Sequence, residues 1–180
     1  MILLPALLGL VLCLINAGGG QLFCMTAACE IYHQYALFGY SFYWYGAIGF
    51  GAILLLALLS RRKRTGAPSL LAAVFTIGLL LDLVALAWQM LFWPCVSCLV
   101  VALLLGLAAC GFWYTYPKSC GHLLKGVLLL WLLLLIPVVV TASKEVLLKP
   151  WPLLGAPDAE IQVYFSPTCP ACETAVTTLL

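Results

Sequence analysis

Five apolar runs, most of them close to the length that crosses a bilayer, decide what this chain can fold into. They cover about Ile2 to Ala17, Ser41 to Leu59, Ser69 to Phe92, Cys98 to Trp113 and Leu123 to Thr141. A helix needs ~20 apolar residues to cross ~30 Å of hydrocarbon, and it satisfies its own backbone N–H and C=O groups on the way. Of the 180 residues, 66% are hydrophobic and 8% charged. Soluble domains are roughly half apolar and a quarter charged. No core of this size can hold so much apolar surface, so lipid must solvate part of it. The expectation is an all-α polytopic membrane protein. The first run is short, and the small residues of "NAGGG" would suit a cleaved signal peptide. The run lacks a basic segment before it, which favours a retained span.

The connections give an orientation. "RRKR", Arg61 to Arg64, lies between the second and third spans. A basic cluster on a short loop marks the cytoplasmic side. Lys118, His122 and Lys125 fall around the next loop on that side and agree. The opposite side receives residues 18–40, the turn from Trp93 to Cys98 and everything after Thr141. The formal charge of +2 is too small to argue for nucleic acid.

After the fifth span the composition changes. Residues 1–141 read as the membrane domain, 142–158 as a Pro-containing linker and 159–180 as the start of a second domain. Glu160 to Phe165 alternates and is rich in β-branched and aromatic residues, which predicts a strand. Ser166 to Pro170 reads as a turn and Cys172 onward as a helix. A complete domain needs more strands, so this second domain is expected to be incomplete within these residues.

Nine cysteines include three close pairs, Cys24/Cys29, Cys95/Cys98 and Cys169/Cys172. All three fall on the non-cytoplasmic side, where disulfides persist. The cysteines played no part in assigning that side, so the agreement is independent. Cys169-Pro170-Ala171-Cys172 follows a strand and opens a helix, whose N-terminus favours a thiolate at Cys169. That arrangement resembles the active site of the thioredoxin family, with Cys169 attacking and Cys172 resolving. Half of a zinc site is the alternative, and its missing ligands are not near in sequence. Cys95-Val96-Ser97-Cys98 opens the fourth span. Cys98 is expected one turn into the helix, at headgroup depth, with thiolate character supplied by the helix N-terminus. A lipid-soluble electron acceptor can reach it there, while Cys95 faces the aqueous loop. Two unreactive interfacial cysteines are the plainer reading. Cys24 and Cys29 lie in a loop that could pass electrons by thiol–disulfide exchange, or could hold a static disulfide. Cys13, Cys110 and Cys120 read as structural.

A pair in the first outer loop, a Cys-x-x-Cys starting the fourth helix and a fifth span leading to a thioredoxin-like segment together resemble the vitamin K epoxide reductase family in its bacterial, fused form. "CEIYHQYALFGYSFYWYGAIGF", Cys29 to Phe50, is similar to that family's segment after its second loop cysteine. The resemblance implies a four-helix transmembrane bundle around a quinone, plus a fifth span and a thioredoxin-like α/β domain. It implies a relay in which Cys24 exchanges with Cys169, Cys29 with Cys95, and Cys98 reacts with ubiquinone or menaquinone. It also implies a bacterial cytoplasmic (inner) membrane, with the redox cysteines facing the exterior. Partners would be extracytoplasmic thiol proteins or a thioredoxin-fold dithiol.

Other residues carry two readings each. Phe42, Tyr43 and Trp93 are candidates to line a flat quinone site, and an interfacial aromatic belt explains them equally. Asp82 lies mid-span, and Gln89 follows two turns later on the same face. An intramembrane carboxylate is a functional candidate by default, so Asp82 either handles quinone protons or is a hydrogen-bonded structural group. His33 either assists proton transfer or is a solvated loop residue. Two competing functions follow. A conduit exporting reducing equivalents needs a cytoplasmic thiol pair, and that side offers only Cys120 with Cys110 nearby. A metal-binding membrane protein would need more methionine, histidine or carboxylate in the spans than this chain has.

Overall fold

The computed structural model describes residues 1–20, 22, 23, 36, 37, 39–61, 66–92, 94–117, 119 and 121–147. Within them lie α1 (Leu3–Ala17), β1 (Ala36–Leu37), β2 (Tyr40–Ser41), α2 (Phe42–Arg61), α3 (Ala67–Leu91), α4 (Val96–Thr115) and α5 (His122–Leu147). The linker and the segment carrying Cys169 and Cys172 are outside the described residues, as are Cys24, Cys29, His33, Trp93, Lys118 and Cys120.

Four of these helices, α2 to α5, are long and apolar enough to cross a membrane. The 15 residues of α1 rise only about 22 Å, less than the hydrocarbon thickness. It nonetheless belongs to the bundle. α1 packs on α2 and α4, while α3 packs on α2, α4 and α5. Ala6 and Cys13 of α1 are fully buried in the same cluster as Phe75, Leu79, Ala108, Phe112 and Val138. Large apolar side chains also point outward along every helix, Leu81, Val84 and Leu133 among them. Both faces are therefore apolar, as expected when one meets protein and the other lipid.

The local sequence sets the helix ends. The glycines after α1, which read as small residues near a cleavage site, instead close the helix. Gly19 sits at φ 92°, and the Gly19 and Gly20 N–H groups bond to Asn16 O and Ile15 O at 3.3 and 2.9 Å. This is a Schellman end, which suits glycine at the left-handed position. The β1–β2 hairpin pairs Ala36 with Ser41 and Leu37 with Tyr40. It delivers the chain to α2, where Ser41 Oγ accepts the Tyr43 N–H at 3.4 Å, an N-terminal cap. α4 begins at Val96 with Cys95 extended as its N-cap residue, two residues earlier than the hydropathy suggests.

Small residues permit close helix contacts, as in other membrane bundles. A side chain at Gly46 would meet Cys13 Sγ, and one at Gly9 would meet the Phe50 ring. One at Gly106 would meet the Trp131 indole.

Candidate functional site

One end of the bundle gathers the C-terminus of α1, the N-terminus of α2, the C-terminus of α3 and the N-terminus of α4. Hydrogen bonds identify it. Gln89 of α3, buried, accepts the Cys95 N–H on its Oε1 at 3.1 Å. Asn16 of α1, fully buried, donates from Nδ2 to Ser97 Oγ at 3.3 Å and accepts the Leu22 N–H on Oδ1 at 3.0 Å. Tyr43 of α2 places its hydroxyl 2.5 Å from Ser97 Oγ and 3.9 Å from Cys98 Sγ. Three helices thus each give one polar side chain to the Cys95–Cys98 turn that starts α4. No buried side-chain nitrogen or oxygen among the described residues lacks a partner.

The two sulfurs differ. Cys95 is fully buried, whereas Cys98 keeps partial exposure in the first turn of α4. Both are free thiols here. A hydrogen bond from the Cys98 thiol lowers the Cys95 thiol to about 7, opposed by burial and helped by the Cys98 and Ser97 backbone N–H groups and the Tyr43 hydroxyl. The open N–H groups of a helix start favour negative charge in this way. The sequence reading gave that thiolate character to Cys98. The structure gives it to Cys95, because the N-cap position lies in front of the amides while Cys98 is already the third helical residue.

Of the aromatic candidates, Tyr43 alone among the described ones turns inward to the thiols. Phe42, the preceding residue on the helix, is 52% exposed, so the two do not share a pocket wall. Trp93 lies outside the described residues, as do Cys24, Cys29, Cys169 and Cys172. Asp82 is nine residues before the end of α3, about 13 Å deeper than that end. Its Oδ2 accepts the Trp131 Nε1–H at 2.6 Å, a partner that the sequence does not suggest.

Two open clefts lie elsewhere. One is lined by Cys110, Trp113, Tyr114 and Pro117. The other is an apolar groove of Leu83, Val84, Ala87, Leu130, Leu133 and Leu134. Among the described residues no three metal-ligating side chains come together. Asn16 and Ser97 were missed from sequence. Their signal was polarity inside or beside an apolar run, the same signal that marked Asp82 and Gln89. No protein-family model, no curated protein and no solved structure matches this chain.

Proposed function

We propose that the protein is a membrane thiol:quinone oxidoreductase resembling the vitamin K epoxide reductase family, and that it supports disulfide formation outside the cytoplasm. The observation that carries this reading is the asymmetric Cys95–Cys98 pair. Cys95 is buried and acidified at a helix N-terminus, and Cys98 is partly exposed on the first turn of an apolar helix. The acidified inner sulfur suits attack on its neighbour Cys98, and the outer one suits an acceptor dissolved in lipid.

The reaction balances as follows. Two thiols lose two electrons and two protons and form one disulfide. The quinone takes both electrons and both protons and becomes the hydroquinone. Cys98 forms a sulfur bond to the quinone ring, Cys95 attacks the Cys98 sulfur, and the ring leaves with the electron pair. Fresh electrons come from Cys24 and Cys29, which receive them from Cys169 and Cys172 of the thioredoxin-like segment. That segment in turn oxidises extracytoplasmic thiol proteins. The membrane is a bacterial cytoplasmic one, with "RRKR" on the inner side.

Anaerobic titration of the reduced, purified protein with ubiquinone or menaquinone tests this. One hydroquinone should form per oxidised pair, and Cys98→Ala should form none. With no route to the quinone, Cys95 of Cys98→Ala should stay a free thiol. Failure of the wild-type protein to reduce either quinone overturns the proposal.

A further inference from the structure

The amide of Asn16 gives the buried network a direction. A backbone N–H can only donate, so the Leu22 N–H must meet Oδ1, and Nδ2 then faces Ser97. Ser97 accepts that donor and has one proton of its own to give. Its bond with the Tyr43 hydroxyl admits either oxygen as donor; giving the Ser97 proton to Tyr43 leaves the phenol proton for a sulfur. With the Ser97 proton on its oxygen, Tyr43 can turn its own proton to Cys98 Sγ, 3.9 Å away. The bonds then run one way, from Asn16 to Ser97 to Tyr43 to the sulfur, and each polarises the next. Phe23 stands at φ 61°, a conformation that bulky side chains avoid.

We infer that Tyr43 is the donor that holds negative charge on the Cys98 sulfur, and that Asn16, acting through Ser97, is the positioning residue that keeps the phenol proton aimed there. The inference rests on the proposal that Cys98 is the sulfur that meets the acceptor. Cys95, the N-cap residue in front of the helix amides, is the sulfur that the geometry favours for the first negative charge. Cys98 has to carry that charge before it can attack. A thiolate only accepts hydrogen bonds, so the phenol must donate to it, and Ser97 fills the lone pair on the phenol that faces it.

The test is peptide-resolved alkylation of the reduced, full-length protein by N-ethylmaleimide, which enters lipid. Cys110, exposed at the far end of the same helix, is the internal reference, and buried Cys13 must stay unlabelled as the check of folding. Tyr43→Phe keeps the ring and loses the donor. It should slow Cys98 alkylation about tenfold, the scale of one hydrogen bond to a charged group. Asn16→Asp is isosteric and still accepts from Leu22, but it cannot donate. Ser97 then donates to it, Tyr43 donates to Ser97, and Cys98 loses its donor. The slowing should again be about tenfold. The double variant should be no slower than either single one. A Tyr43→Phe rate within twofold of wild type overturns the donor role, and it decides alone if Asn16→Asp does not fold. A wild-type rate in Asn16→Asp, or losses that multiply in the double variant, overturn the directional role, since a carboxylate acting only by its field would not need Tyr43. Quinone takes no part in this assay. Absent quinone reduction with this labelling pattern intact would sink the proposed function alone.

Discussion

Substituting Gly106 by alanine probes the contact between α4 and α5. A Cβ there would fall on the six-membered ring of Trp131, which is 2% exposed and cannot swing into solvent. Three effects compete. Gly→Ala in a helix interior favours folding by about 1 kcal/mol. Overpacking costs about 1–3 kcal/mol. Moving the indole also puts its 2.6 Å bond to Asp82 at risk, and interhelical bonds of this kind are worth about 0.6 kcal/mol on average and up to about 1.7. The penalties win, for a net loss of about 2 kcal/mol. In a Trp131→Leu background the ring is gone, and the same substitution should stabilise by about 1 kcal/mol. The sign of the effect therefore reverses between backgrounds. Unfolding in mixed micelles by added dodecyl sulfate, followed by circular dichroism, measures both values. A Gly106→Ala protein as stable as wild type, or the same sign in both backgrounds, would falsify the packing described here.

Gln89→Met should cost about 1–3 kcal/mol in the same unfolding assay, because the buried Cys95 N–H loses its acceptor; Gln89→Glu keeps an acceptor oxygen and should recover most of that. The ultraviolet absorbance of the Cys95 thiolate should rise with pH through a midpoint of about 7 and fall away below it; a midpoint near 9 would remove the Cys98 hydrogen bond and the helix N-terminus from the account. In intact cells a membrane-impermeant maleimide should label reduced Cys24 and Cys169 but reach Cys120 only after permeabilisation, and the reverse pattern would invert the proposed orientation.

The long helices were legible because hydropathy alone reports them: α2 to α4 end within two residues of the apolar runs, while α5 continues six residues past its run, to Leu147. Their rotation about their own axes was not. In water an amphipathic stripe marks the buried face, but lipid and protein interior are both apolar, so leucines alone cannot say which side faces inward. This is why Tyr43 could not be separated from Phe42, Trp44 and Tyr45, of which the structure buries only Tyr43. Nor could sequence distinguish the charge-bearing sulfur of the pair. That depends on whether α4 starts before or after Ser97, a shift smaller than hydropathy resolves.

The polar residues that interrupt the apolar runs did carry rotational information, and their placement indicates what a helix start in lipid would offer a thiol pair. A helix terminus leaves backbone N–H groups without intrahelical partners, and hydrocarbon offers them no water. Gln89 takes the Cys95 N–H, and Asn16 takes the Leu22 N–H where the chain leaves α1. The Ser97 and Cys98 amides turn to the Cys95 sulfur instead. Deeper in the bundle every backbone N–H is committed to its own helix, and a sulfur would find no such donors. Farther out, water would supply them, but an apolar acceptor would be scarce. The first turn of α4 offers unsatisfied amides beside an apolar surface, so a thiol pair there can hold charge on one sulfur and present the other to lipid.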